Sequence, residues 1–224
     1  MFDSLKLSDL PKMNAVVLRE PSNTRPAIWG VEEAGVRAVV KDYSANKFFF
    51  RNTAGRFLVW RECKAYRKLK ALRGVPTPYR VVEGLALVLE HIPGRDLKKV
   101  TREMQIPPTF FDALKDLVDG LHRHGLAHCD LKKATNVLVG HDGLPYLIDW
   151  GASISEKEFA FFPLNRIYRR FVLDDQLAVI KLKFRYAPHA LTPHERRRYA
   201  QQGSLEKRIR VIRDRLRSML QKLA

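Results

Sequence analysis

Cysteine is scarce: Cys63 and Cys129 are the only two in 224 residues. That excludes a disulfide framework, and their separation offers no zinc pattern, so reduced thiols are expected. Long hydrophobic runs are missing as well. None approaches the roughly 20 apolar residues that a membrane-spanning helix needs, and the opening MFDSLKLSDLPKM lacks the apolar stretch of a secretory signal. A cytoplasmic protein is therefore expected. Acidic residues are outnumbered 24 to 41, for a net charge of +17, and residues 151–224 alone hold 17 basic against 7 acidic side chains. Such a balance draws in polyanions (nucleic acid, anionic lipid headgroups or a phosphorylated glycan), or else it only solvates helix faces. With 46% apolar residues the chain has enough material for a core, as one domain or as two small lobes sharing a cleft.

What is present reads as strands followed by helices. Residues 14–41 alternate short apolar runs with turn residues, which predicts a three-stranded antiparallel meander turning at Ser22-Asn23 and at Glu33–Gly35. A helix is predicted at about 58–72, with apolar positions at Leu58, Trp60, Ala65, Leu69 and Leu72, and PYRVVEGLALVLEHI predicts two strands around Glu83-Gly84. After PGRDL the pattern turns helical. Thr109 and Asp112 suggest a capping box for a helix whose apolar face includes Phe110, Leu114, Leu117, Val118 and Leu121, ending at Gly125. NVLVG and PYLID form a hairpin about His141-Asp142-Gly143. Helices are expected near 175–184, from Thr192-Pro193 with Glu195 at the third helical position, and from Ser204. Residues 1–92 thus form a small β-rich lobe and 93–224 a helical one.

Between these elements HCDLKKATNVLV, residues 128–139, concentrates polar side chains, and the hairpin after Asn136 returns Asp149 to the same end. Asp130, Asn136 and Asp149 are hard oxygen donors beside lysines, the chemistry of a magnesium–phosphate site. Phosphoryl transfer asks for positioned charge more than covalent chemistry. His122, His124, His128 and Cys129 also cluster, but their spacing matches no common zinc pattern, and His128 reads as a packed brace for the loop.

These motifs resemble the protein-kinase-like superfamily: HCDLKKATN its catalytic loop, and LIDWGAS its metal-binding D-F-G segment with Trp150 for Phe. The resemblance implies a bilobal α+β fold with a small antiparallel-sheet N-lobe and a reduced helical C-lobe. It also implies that the protein uses ATP and Mg2+ to phosphorylate a hydroxyl. By the same resemblance Asp130 accepts the hydroxyl proton, Lys132 neutralises the γ-phosphate, and Asn136 and Asp149 hold metal. Lys41 in AVVK is the phosphate-contacting lysine, Glu62 is its helix partner, and the Glu90 carbonyl and Ile92 N–H meet adenine at the hinge. Asp175 braces the catalytic loop from a buried helix.

The match departs from the superfamily in three places. Five residues rather than four separate Asp130 from Asn136, so either Lys133 is inserted or Thr135 takes the Asn position, with Asn136 preferred. EPSNTRP replaces a Gly-rich loop, and no A-P-E follows Asp149. The short C-lobe is similar both to RIO-type kinases and to bacterial lipopolysaccharide inner-core kinases acting on Kdo or heptose. KDYSAN, the Arg-Glu helix opening and the tail 178–199 place a lipopolysaccharide core sugar first as acceptor. The D-L-K form supports the alternative, a RIO-like serine/threonine protein kinase, and the missing glycines support a third reading, a nucleotide-binding pseudokinase scaffold. Expected partners are ATP and an anionic glycolipid or polypeptide acceptor, with nucleic acid or the ribosome ranked lower. The last helix either packs on the C-lobe or lies on the inner face of an anionic membrane.

Overall fold

The computed structural model describes residues 2–11, 15–100 and 106–201. Its N-terminal half is a five-stranded antiparallel sheet in the order β1-β2-β3-β5-β4. The strands are β1 (Val16–Arg19), β2 (Ala27–Glu33), β3 (Val36–Asp42), β4 (Pro78–Val82) and β5 (Ala86–Glu90). Two tight turns set the register. Ala34-Gly35 and Glu83-Gly84 both take positive φ at each central position, the geometry whose twist matches that of the flanking strands. Lys41 thereby comes to pair with Ile28 on one side and Leu87 on the other.

Between β3 and β4 a short α1 (Phe48–Phe50), a π-helical turn (Arg51–Gly55) and α2 (Arg56–Lys68) run on as one helix, beginning ten residues before the predicted start. Its buried face is Val59, Glu62, Cys63, Ala65 and Tyr66. Trp60, counted with the apolar positions, points instead to solvent. The opening segment covers the other face of the sheet: Phe2, Leu5, Leu7 and Leu10 pack with Val31, Val40, Val82 and Val88. Arg80 holds the Phe2 carbonyl at 2.6 Å.

The second half begins with β6 (Gly94–Asp96) and α3 (Pro108–Arg123), followed by β7 (Leu126–Ala127), the hairpin β8 (Val137–Gly140) and β9 (Pro145–Leu147), and β10 (Ile154–Ser155). β8 lies between β6 and β9, and β7 pairs with β10. The long α4 (Leu164–Tyr186) packs on α3, and a further helix runs from 193 to 201. α3 starts at Pro108 with Pro107 as its cap, so the Thr109–Asp112 box does not form, and Asp112 accepts from Lys183 at 3.4 Å instead. A proline ring fixes the backbone angle at a helix start without any side-chain cap. α4 begins eleven residues before the predicted stretch because its first turns bury little beyond Tyr168 and carry no strong apolar period. At Thr192 the capping box forms as read: Thr192 N–H donates to Glu195 Oε2 at 2.8 Å, and Glu195 N–H to Thr192 Oγ1 at 3.2 Å. The helix read from Ser204 lies outside the described residues.

One apolar cluster joins the two halves. Tyr43, Val59, Tyr66, Leu69 and Leu89 from the sheet side are continuous with Phe110, Leu114, Leu121, Leu131, Val137 and Trp150. The architecture is the expected bilobal α+β arrangement, an antiparallel-sheet lobe against a small helical lobe.

Candidate active site

β3 and α2 bring the first two charges together. Lys41 Nζ lies 2.6 Å from Glu62 Oε1 and 2.8 Å from Oε2, both side chains being buried, and 2.9 Å from Asp149 Oδ1. Burial opposes charge on Lys41, but Glu62 and Asp149 outweigh it and raise its pKa, so the ammonium is secure. The same Lys41 charge holds the Asp149 carboxyl below the usual aspartate range. Glu62 Oε1 also accepts from the Trp150 N–H at 3.2 Å, and Tyr66 Oη accepts from the Asp149 N–H at 3.4 Å. Asp149 itself is left-handed, at φ 70° and ψ 71°, which turns its half-exposed carboxylate toward Lys41 while Trp150 drops into the core. Trp150 packs against His128 and Tyr66, with ring centroids 4.6 and 6.1 Å away.

The catalytic-loop segment is held from below by α4. Asp175 Oδ2 accepts from the His128 N–H at 2.7 Å and Oδ1 from the Cys129 N–H at 3.0 Å, and His122 Nε2 lies 3.3 Å from Oδ2. Two backbone donors on one buried carboxylate fix a bend in which Cys129 takes φ 69°. The bend delivers Asp130 to the open side. His128 is fully buried with Nε2 3.1 Å from the Ile148 carbonyl, and burial lowers its pKa, which keeps the ring neutral.

The five residues after Asp130 close as a turn. Asn136 Nδ2 donates to the Asp130 carbonyl at 3.0 Å and to its Oδ2 at 3.3 Å. Both acceptors demand the amide nitrogen on that side, which leaves Asn136 Oδ1 for another partner. The Ile148 N–H donates to the Asn136 carbonyl at 3.0 Å, so the hairpin sets Asn136 and Asp149 at the same end. The lysine beside Asp130 is Lys133, with Nζ 2.6 Å from Oδ2, both it and Lys132 being exposed. Lys133 is the residue that the sequence suggested as the insertion.

The remaining expected residues are dispersed around this centre. Glu90 closes β5, with its carboxylate accepting from the Thr77 N–H at 3.0 Å, and Ile92 follows it half-buried. Asn46 had no assigned role. Its Nδ2 donates to the carbonyls of Ser22, Asn23 and Arg25 at 2.6, 3.4 and 3.1 Å, so it clamps the β1–β2 loop that replaces a Gly-rich turn. Tyr66 was also missed, although its place one turn after Glu62 on the helix was a usable signal.

The donor set fits a hard cation: a half-exposed carboxylate and an amide oxygen that accepts only a long 3.5 Å bond from Thr135 Oγ1 at one end, beside a base held by its own lysine. The His/Cys group disperses, with His122 on Asp175, His124 Nδ1 2.9 Å from the Gly120 carbonyl and Cys129 Sγ 3.5 Å from the Ala127 carbonyl. Burial pushes the Cys129 thiol up to about 12, which favours the protonated thiol over the thiolate.

Comparison with known proteins agrees with the fold. Two solved structures of Rio2 kinase from Chaetomium thermophilum share the fold. One is an ADP/Mg2+–phosphoaspartate complex, at 17% identity and TM-score 0.59 over 83% of this chain and 60% of that one. The other has 17% identity and TM-score 0.57 over 80% and 60%. The chain thus spans about 60% of the length of these relatives. No curated protein matches it significantly. The RIO-domain family model matches residues 39–166, which include Lys41, Glu62, Asp130, Asn136 and Asp149, and the chain belongs to the RIO-domain family.

Proposed function

We propose that this protein is a phosphotransferase that moves the γ-phosphate of ATP to a hydroxyl, with a serine or threonine of a polypeptide as acceptor. The observation that carries the reading is Lys41 bonded at once to Glu62 and Asp149 while Asp130 stands on the neighbouring loop. Membership of the RIO-domain family, and Rio2 kinase described with ADP and Mg2+, favour the protein-kinase alternative over a lipopolysaccharide acceptor.

In this reading adenine sits at the Glu90 carbonyl and Ile92 N–H, with the lobe boundary between Ile92 and Pro93. Lys41 holds nucleotide phosphates, and Glu62 fixes the lysine's position. Asn136 Oδ1 and the Asp149 carboxylate are the ligands for Mg2+, which when bound screens the phosphate charges. Asp130 accepts the proton of the attacking hydroxyl as its oxygen bonds to the γ-phosphorus and the bond to the β-phosphate oxygen breaks. The 2.6 Å contact with Asp130 supports Lys133, in preference to Lys132, as the cation facing the transferred phosphate.

The test is transfer from γ-labelled ATP with Mg2+ to a basic protein, to lipopolysaccharide core, or with no added acceptor. Label on protein is expected, and label on core sugar alone would overturn the acceptor assignment. Asp130→Ala is expected to lower transfer by about 10²–10⁴-fold with nucleotide affinity retained. Unchanged transfer in that variant refutes the base assignment, and nucleotide binding without any transfer identifies a scaffold.

A further inference from the structure

The helix that carries Glu62 has a second face the reaction does not use. Residues 47–70, KFFFRNTAGRFLVWRECKAYRKLK, hold eight Lys/Arg and a single carboxylate, and that carboxylate, Glu62, is buried against Lys41. The outward side is therefore cationic in its own residues, although Lys64 pairs at 2.8 Å with Glu158 at the helix's edge and Arg56 donates to the Glu83 carbonyl at 3.0 Å, contacts that a phosphate ligand must share or replace. It is also aromatic: Phe48 is 73% exposed, Phe49 79%, Phe57 52% and Trp60 56%. A group of large rings left in water on one side of a small protein marks a contact surface.

The cations lie against the rings. Arg51 is 5.4 Å from the Phe48 ring, Arg61 5.9 Å from Phe57, and Lys64 5.2 Å from Trp60, and the Phe57 and Trp60 rings are themselves 5.9 Å apart. Charge and apolar surface are thus offered at the same depth. Beside Trp60, between α2 and the β4–β5 turn, a cavity of about 530 Å³ is lined by Arg56, Lys64, Arg67 and Trp60 with Val59 and Val81 behind them, a cationic recess able to take a phosphate group. From Phe48 to Trp60 the rings are spread over roughly 18 Å of helix. Rings spread over that length suit an extended surface better than a single peptide side chain, which fills one recess.

The occupant must be anionic, which excludes the chain's own residues 202–224, with seven basic and two acidic side chains. Rings at headgroup depth flanked by Lys and Arg are the composition of interfacial membrane contacts. We infer that the outer face of α1 and α2 docks on an anionic lipid bilayer, Phe48, Phe49, Phe57 and Trp60 entering the interface while Arg56, Lys64 and Arg67 take lipid phosphates. This surface is distinct from the last helix considered for membrane contact from the sequence, and it does not depend on the proposed phosphotransfer.

Trp60 is the natural probe, because Trp150 is fully buried and Trp29 half-buried. The full chain is mixed with phosphatidylcholine vesicles containing or lacking phosphatidylglycerol, following co-sedimentation and tryptophan emission. Binding to the anionic vesicles is expected, with a blue shift, protection from acrylamide and weakening by salt. Phe48→Ser with Phe49→Ser, at exposed positions and with an unchanged melting temperature, is expected to bind at least about tenfold more weakly, since it removes two buried rings without altering charge. Sedimentation with no change in Trp60 emission would place the contact on another face and overturn the inference. Equal binding by the double variant overturns it too, and so does an emission shift caused by poly-glutamate but not by vesicles, which would identify an acidic protein partner.

Discussion

The catalytic loop and the β1–β2 loop flank the same lysine, and they are stiffened by opposite means. The first is held by charge from behind: Asp175 takes the N–H groups of His128 and Cys129, and Asn136 ties the loop's far end to Asp130. The second is held mainly by a neutral amide, Asn46, gripping three carbonyls of the loop, with a Ser22–Arg25 backbone bond and Arg19 on the Pro26 carbonyl beside it. Where other kinase-like proteins use glycine to let the backbone come close, this chain uses an external clamp to fix its shape. The lesson is that a loop poor in glycine can be given a fixed shape by a side chain from elsewhere in the chain.

Five experiments sharpen the contrast. The largest effect is expected on the charged side, from Glu62→Ala. It strips Lys41 of its buried partner but leaves Asp149 beside it, so the cost in stability, read by thermal unfolding, should stay below the about 3–5 kcal/mol of an unpaired buried charge, with loss of transfer. Asp149→Ala, whose carboxylate is half-exposed, should abolish transfer with a much smaller fall in melting temperature. Next, Lys133→Ala should lower transfer by about 10²-fold and Lys132→Ala by much less, as expected when only one cation faces the developing phosphate charge. The reverse ranking would return that role to Lys132.

The neutral clamp should answer more gently. Asn46→Ala frees the Ser22 and Asn23 carbonyls and leaves Arg25 only its bond from the Ser22 N–H, and a loss of about 1–2 kcal/mol is expected, seen as faster proteolysis near Asn23 and a raised KM for ATP with little change in kcat. An unaltered KM would show that the loop's shape does not matter to nucleotide binding. The smallest effect concerns His128. Its pKa is lowered by burial, so the unfolded chain takes up a proton that the folded one refuses. Stability should therefore fall as pH drops below the ordinary histidine value of about 6.5, and His128→Gln should flatten the melting-temperature profile between there and the carboxylate range.

Legibility followed the range of the interaction. Alternation and turn residues are local, so the meander, the β8–β9 hairpin and the Thr192 capping box could be read directly. The Thr109–Asp112 box could not, because a proline cap leaves no side-chain signature. The start of α4 was hidden by turns that bury little. Lys41, Glu62, Asp130, Asn136 and Asp149 were legible as a motif in order, and the ion pair is what their order implied. Asn46, Tyr66 and Lys133 were not, since each acts on atoms supplied by another segment or by an altered loop length.

By itself the amino-acid sequence determined the strand-then-helix order, the cationic balance and the identity of the charged residues, because these depend on composition and short-range periodicity. Only the tertiary structure decided which lysine reaches Asp130, what holds the glycine-poor loop and that Trp60 points outward, because the first depends on the backbone path of a five-residue turn and the other two on how segments distant in the chain pack together.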